Sequence, residues 1–312
     1  MEIFYYKDGF NYVNDKPINL CLGFFDGLHI GHKFLINKAK QLNKNVGVLT
    51  FVGALKNLTN KRDTKSLLTS LEDRKEILQS MGVKYLFVVE FNLDIMNMSK
   101  DDFLDKMIKP LNIDTLVVGN DYTFGSKASG NVDYLRTKFK VEVVDFVLED
   151  GKKVSTSEII NYIKEGKILK ANELLGRYYS IKGVVEHGLS NGSRLGFKTA
   201  NIKPKDNYVF PKKGVYATYV KIEGKTYLSM TNIGNHPTID RLDYESIEAN
   251  IFDFEEDIYQ KEVEVYFLEF MRDEKKFDSV NDLIVQLNHD RDYVVAKYKK
   301  TCWEISTRVG LS

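Results

Sequence analysis

The chain has 312 residues, 43% of them hydrophobic, a length sufficient for two domains with a core each. Its 45 basic and 44 acidic side chains leave a formal charge of +1, which argues against a nonspecific nucleic-acid binder while leaving room for a local anion site. Cys21 and Cys302 stand far apart without metal-ligand spacing, and no stretch approaches the roughly 18 apolar residues of a membrane span, so a cytoplasmic protein with no membrane partner and no disulfide or zinc framework is expected.

Short apolar runs at 18–23, 46–51, 85–90, 115–118 and 141–147 alternate with helical patterns at 33–42, 71–81, 99–108 and 132–138. Ser70 and Ser99 are N-cap candidates, each followed by acidic residues in the first turn. Alternation of this kind predicts a doubly wound parallel sheet with its ligand at the carboxyl ends of the strands. Charged helical turns follow at 156–164 and 167–175, broken at Gly166. The texture then becomes β-rich, with strands expected at 178–186, 214–222, 225–232, 246–252 and 261–269. Closely spaced strands without intervening helices predict a small antiparallel barrel. A terminal helix is expected over 280–300, with Leu283, Leu287, Val294, Val295 and Tyr298 on one apolar stripe. The domain boundaries read from this pattern are 1–155, a helical connector over 156–176, and 177–312.

The chemistry concentrates in Gly23-Phe-Phe-Asp-Gly-Leu-His-Ile-Gly-His32, between the first predicted strand and its helix. A strand that feeds a helix through a glycine-containing turn aims backbone N–H groups and the positive helix end at one spot, which suits a phosphate. His29 and His32 add two donors there. Taken alone, two histidines three apart also describe an incidental surface pair; the strand, glycines and helix around them favour the phosphate site. Zinc fits less well, because no third ligand stands at a helpful spacing.

This segment, followed by Val118-Gly-Asn-Asp-Tyr-Thr-Phe-Gly125, resembles the adenylyltransferase half of bacterial bifunctional riboflavin kinase/FAD synthetases. Arg194-Leu-Gly-Phe-Lys-Thr-Ala-Asn-Ile202, Asn232-Ile-Gly-Asn-His-Pro-Thr238 and Ile247-Glu-Ala-Asn-Ile-Phe-Asp-Phe254 resemble the kinase half, in the family's order. The resemblance implies that riboflavin is phosphorylated to FMN and FMN is then adenylylated to FAD, with ATP as co-substrate and Mg²⁺ as cofactor. It implies His29 and His32 at the α-phosphate and Glu248 as the kinase base. Thr199 and Asn201 would serve the metal and the ATP phosphates. Further ATP contacts would come from Gly23, Phe25, Asp26, Gly31 and Ser155, and flavin contacts from Asn120, Asp121 and Phe124. The partners are small-molecule substrates, and a homo-oligomer is compatible with the sequence.

Three departures from the family's pattern matter. The His-Pro pair after the second strand reads Val52-Gly-Ala-Leu-Lys-Asn57 here. The segment that carries two arginines in the family reads Ser155-Thr-Ser-Glu-Ile-Ile160, which removes two bidentate phosphate donors and adds a carboxylate at Glu158. A proline before the kinase threonine is replaced by Lys198. These changes keep open a weakened adenylyltransferase, a single-activity enzyme with one degenerate module, and a non-catalytic flavin-binding regulator. Lys203, Lys205, Lys212 and Lys213 are read as a solvated loop, His187, His236 and His289 as structural or surface residues, and Trp303 as a packing residue.

Overall fold

A computed structural model describes residues 1–7, 9–10, 12, 16–42, 45–53, 66–186, 197–236 and 244–299. The chain divides into two compact units, Met1–Thr156 and Ser157–Ser312.

The N-terminal unit begins with β1 (Glu2–Tyr5), β2 (Ile18–Leu22), α1 (Ile30–Leu42), β3 (Val46–Val52), α2 (Leu71–Ser80) and β4 (Tyr85–Glu90). Two short helices follow, α3 (Leu93–Asn97) and α4 (Lys100–Phe103), then β5 (Ile113–Gly119). A small pair, β6 (Thr123–Phe124) and β7 (Gly130–Asn131), precedes α5 (Val132–Arg136) and β8 (Val141–Val144). The unit closes with the hairpin β9 (Leu148–Glu149) and β10 (Lys152–Lys153). Six strands form one sheet in the order β1-β4-β3-β2-β5-β8, every neighbouring pair parallel. From β2 the chain winds outward through β3 and β4 on one side and β5 and β8 on the other. The topological switch point therefore lies between β2 and β5, and the crevice at their carboxyl ends is where such a sheet takes its ligand.

Burial on both faces explains why these strands are continuous apolar runs rather than alternating ones. Leu20 and Leu22 pack on one face with Phe87, Val89 and Met107. Cys21 packs on the other with Val48, Val88 and helix residues Ile36, Ala39 and Leu78. Ser70 caps α2 through a complete capping box, its hydroxyl accepting from Asp73 N–H while the Asp73 side chain accepts from Ser70 N–H. Ser99 caps α4 by accepting from Asp102 N–H.

Several features of this unit escape the periodicity, among them α3, the short pairs β6/β7 and β9/β10, and the two that follow. The edge strand β1 was not foreseen, because its four residues carry neither a long apolar run nor clean alternation. The helix expected over 99–108 changes register after α4: Leu104–Ile108 is a π-helical turn, in which Lys109 N–H reaches Leu104 O at 2.8 Å. The wider turn brings Leu104, Met107 and Ile108 into the core together.

Helix α6 (Thr156–Lys164) starts on the last residue of the first unit and continues in the second, where α7 (Ile168–Leu175) follows beyond Gly166 at φ +76°. Six strands follow: β11 (Tyr179–Glu186), β12 (Ala200–Pro204), β13 (Gly214–Ile222), β14 (Lys225–His236), β15 (Tyr244–Ile251) and β16 (Glu262–Arg272). They close an antiparallel barrel in the order β11-β12-β15-β14-β13-β16. β12 was not foreseen; it is short and mixed in character, and its place is fixed by pairing with β11 and β15. Thr218 shares hydrogen bonds with Ser229 at 2.8 Å and Thr231 at 2.7 Å, so these buried hydroxyls satisfy one another. Helix α8 (Val280–Tyr298) packs its apolar stripe, led by fully buried Val294, over Ala217, Tyr219 and Met230. Among the described residues no helix is long and apolar enough to cross a membrane.

Replacing Ser70 with Ala removes the hydroxyl half of the capping box, the bond from Asp73 N–H, and leaves the Ser70 N–H bond to the Asp73 carboxylate in place. The expected result is a loss of about 1 kcal/mol from the N-terminal unit, read as a lower urea midpoint at unchanged slope.

Candidate functional site

The loop between β2 and α1 is built from backbone that most residues avoid. Phe25, Gly27 and Leu28 have φ of 52°, 77° and 40°. Left-handed conformation costs energy at non-glycine residues and persists only where surrounding contacts impose it. Asp26, 8% exposed, supplies one such contact. Its carboxylate accepts from Leu68 N–H at 3.1 Å, Thr69 N–H at 3.0 Å and the Thr69 hydroxyl at 3.0 Å. Thr69 in turn accepts from Gly27 N–H at 2.8 Å, and the Thr156 hydroxyl donates to Asp26 O at 3.3 Å. The charge expected to face ATP thus points into the protein, where it holds the loop. Phe25 lies beneath the loop, 1% exposed, its ring edge-on to His32. Gly23 makes room for that ring, since a Cβ there would come within 3.2 Å of it.

His29 occupies the N-cap of α1. Its Nδ1 accepts a long hydrogen bond, 3.4 Å, from His32 N–H, and its carbonyl accepts from Lys33 N–H at 2.9 Å. An Nδ1 that accepts leaves the ring hydrogen on Nε2, on the far side of the imidazole. Gly31 accommodates this arrangement, because a Cβ at that position would lie 3.1 Å from the His29 ring. The two imidazoles stack with centroids 3.7 Å apart. His32 Nδ1 is buried without a protein partner. Burial pushes the His32 pKa well below its usual value, and the positive charges of His29, Arg74 and Lys153 add to the shift. The site thus presents two close imidazoles, an α-helix N-terminus and an unpaired buried nitrogen, all suited to a phosphate.

The other predicted residues of this unit follow β5 and β10. Asn120 and Asp121 are exposed just beyond the carboxyl end of β5. Phe124 is 6% exposed and packs in the core against Phe103 and Tyr122. Ser155 is half-buried beside Thr156, which reaches the loop. Lys153 was not singled out from sequence, although the basic pair Lys152-Lys153 directly before Val154-Ser155 is a visible signal. It pairs with Asp121 and lies 3.9 Å from the Phe146 ring centre, and its charge is felt at His32. Glu158 accepts a hydrogen bond from Tyr162 on the same helix at 3.2 Å.

In the barrel, strand register assembles the second set. Asn201 on β12 lies opposite Glu248 on β15, and Glu248 lies opposite Asn232 on β14. Directly opposed residues share a face, so Asn201, Glu248 and Asn232 form a row, while Ile247 and Ala249 point to the other face and are buried. Asn232 donates to Glu274 at 3.2 Å. Thr199 and Asn201 line a cleft of about 280 Å³ with Lys198, Glu186, Glu256 and Tyr259. Asn250, on the same face as Glu248, donates to Lys198 O at 2.7 Å and so fixes the backbone that presents Thr199. A second cleft of about 810 Å³ lies between β16 and α8, lined by Phe270, Met271, Phe277, Val285, His289 and Tyr293. At its edge Arg272 clasps Asp290 through Nε at 2.9 Å and Nη2 at 2.7 Å, and Gln286 completes the carboxylate. Gly188, Gly192, Gly196, His187, Cys302, Trp303 and the segment that replaces His-Pro beyond Gly53 lie outside the described residues.

Two family models match the chain, FAD synthetase over residues 12–158 and riboflavin kinase over residues 175–297. A bifunctional riboflavin kinase/FMN adenylyltransferase from Listeria monocytogenes is 37% identical over 290 residues, covering 90% of this chain and 92% of that protein. One of the same description from Bacillus subtilis is 34% identical over 287 residues, covering 88% and 91%. A solved structure from Streptococcus pneumoniae, described as a macrolide-efflux protein, is similar with a TM-score of 0.87 at 30% identity, covering 94% of this chain and 99% of that one.

Because His32 is neutral in the folded protein where an exposed histidine would be charged, protonation favours the unfolded state as pH falls below about 6.5. Stability of the N-terminal unit is therefore expected to drop with pH from that point down to the lowered His32 value. Imidazole NMR of the protein should show His32 titrating below the usual histidine range, with a higher midpoint in Lys153→Met.

Proposed function

The chain belongs to the bifunctional riboflavin kinase/FMN adenylyltransferase family, and we propose that it performs both reactions, FMN formation in the barrel unit and FAD formation in the parallel-sheet unit. The observation that carries the reading is that each unit keeps a central cluster of the expected residues: the stacked His29/His32 pair at the head of α1, and the Asn201–Glu248–Asn232 row.

For adenylyl transfer, a phosphate oxygen of FMN attacks the α-phosphorus of ATP and pyrophosphate leaves. The nucleophile is already ionised, so the protein's work is positioning and charge stabilisation. His29 Nε2–H, His32 and the first turn of α1 receive the α-phosphate, with Gly23 and Gly31 allowing close approach. Asp26 and Phe25 hold the loop rather than the ligand. Lys153 stands in for the missing arginines as the cation beside His32, and Ser155 contributes a hydroxyl from the following segment. Asn120 and Asp121 meet the flavin from the end of β5, with Phe124 as the packed support behind them. Competition for Lys153 between Asp121 and the phosphates couples these two subsites.

For the kinase step, Glu248 accepts the proton of the riboflavin 5′-hydroxyl as that oxygen attacks the γ-phosphorus, and ADP leaves. Thr199 and Asn201 offer a hydroxyl and an amide oxygen, hard donors on one cleft wall, which fits Mg²⁺ held by few protein ligands with phosphates and water completing its shell. The metal would neutralise the phosphate charge, and Asn250 keeps Thr199 in place through Lys198 O. The isoalloxazine ring is assigned to the cleft between β16 and α8. From Arg272 the register runs through Val215 and Asn232 to Glu248, three strand spacings or roughly 14 Å, and the ribityl chain follows that row. Both steps draw on ATP, and we place the protein in the cytoplasm.

Incubation of the protein with riboflavin and Mg-ATP, followed by chromatography of the flavins, tests the reading. FMN and FAD together are expected. A single product would indicate one active module, and neither would indicate a flavin binder. Glu248→Gln is expected to lower FMN formation by about 100-fold or more while riboflavin fluorescence quenching still reports binding.

A further inference from the structure

Arg74, on α2, is 2% exposed. Its Nη1 fans out to three acceptors, donating to Phe24 O at 3.1 Å, Thr50 Oγ1 at 3.1 Å and Phe51 O at 2.9 Å. Thr50 adds a hydrogen bond of its own to Phe24 O at 2.7 Å. These acceptors sit where β2 ends and the strained loop begins, and where β3 ends beside it. One buried cation therefore ties two neighbouring strand ends at the switch-point crevice. Burial lowers the Arg74 pKa, and the Asp26 and Asp73 carboxylates oppose that shift. Asp26 is the carboxylate that anchors the loop to Leu68 and Thr69, and Asp73 closes the capping box of α2. The guanidinium is thus flanked by the two acidic groups that hold the loop and the helix it comes from.

We propose that Arg74 is a positioning residue for adenylyl transfer: its guanidinium clamps the carboxyl ends of β2 and β3, and so fixes the loop that carries His29 and His32 without touching substrate. The inference rests on the adenylyltransferase assignment above and deepens it. A rigid clamp suits a reaction that needs no general base, because the rate then depends on how well the phosphate donors hold their places. The clamp also carries charge. The groups acting on His32 are His29 in the loop, Arg74 on α2 and Lys153 on β10. Arg74 disfavours His32 protonation from behind the loop, while the arriving triphosphate favours it from the front. Burial does most to disfavour the His32 proton, with His29 and then Arg74 and Lys153 adding to it, and a bound phosphate would act in the opposite sense. Removing the cation should raise the pH at which His32 titrates; a lysine should keep the charge, but its differently shaped stem does not hold a nitrogen where Nη1 stands between the three acceptors.

Arg74→Met and Arg74→Lys separate these roles, with FMN formation by the barrel unit of the same chain as the internal reference. For Arg74→Met, kcat for FAD formation should fall by about 100-fold, with KM for ATP and FMN moving by less than about fivefold. The acidic limb of its pH profile should shift to higher pH. For Arg74→Lys, kcat should fall by about tenfold, with the limb at its wild-type position. A kcat within about threefold of wild type in both variants overturns the proposal, as does an acidic limb that is unmoved in Arg74→Met. Loss of the folded N-terminal unit in both variants, seen as lost near-ultraviolet dichroism while kinase turnover persists, also overturns it, since a purely structural residue would give that result. Failure of the wild-type protein to form FAD would instead overturn the adenylyltransferase assignment itself.

Discussion

The N-terminal site depends on holding a short run of left-handed backbone at the end of a buried strand. Phe25, Gly27 and Leu28 adopt positive φ, and only the glycine does so without strain. The energy that keeps the loop in this shape comes from below it. The Asp26 carboxylate gathers the Leu68 and Thr69 amides, and Arg74 gathers the carbonyls at the strand ends. Once that geometry is set, His29 becomes an N-cap, His32 falls one turn along, and both rings stack over the helix entrance. The placing of the two imidazoles is therefore a consequence of buried polar contacts beneath the loop.

The barrel solves its positioning problem differently. Closure of six antiparallel strands leaves no free edge and fixes every register. Glu248 needs no hydrogen-bonded cage to find Asn201 and Asn232; pleat and pairing put the three in a row. The same rigidity leaves one exposed segment to be fixed locally, and Asn250 does this by holding Lys198 O. The replacement of proline by Lys198 is in this way offset by a side chain two residues beyond Glu248. A proline would restrict the backbone before Thr199 covalently, whereas here a hydrogen bond from a neighbouring strand restrains it.

Much of the fold was legible because the two units have different periodicities. Continuous apolar runs separated by helical patterns demand a sheet covered on both faces, and strands without helices between them demand pairing with one another. What escaped were elements whose residues carry no pattern of their own. β1 and β12 are short and mixed in character, and they exist because an edge strand and an incomplete barrel offered them partners. The π-helical turn at Leu104–Ile108 likewise follows from a core that accepts three side chains from one wide turn.

The amino-acid sequence by itself determined the two-unit architecture, the position of the glycine- and histidine-bearing loop after β2, and the residue types at both candidate sites. These depend on local propensity, hydrophobic period and motif spacing, which are properties of neighbours along the chain. The tertiary structure decided which polar residues face a ligand and which hold the scaffold. Asp26 turned inward to Leu68 and Thr69, Phe124 joined the core, and Lys153 arrived beside Asp121 from a hairpin more than thirty residues away. Orientation of a charged side chain is set by which buried amides and opposite charges lie within reach. Those partners come from distant segments, so only the folded chain brings them together.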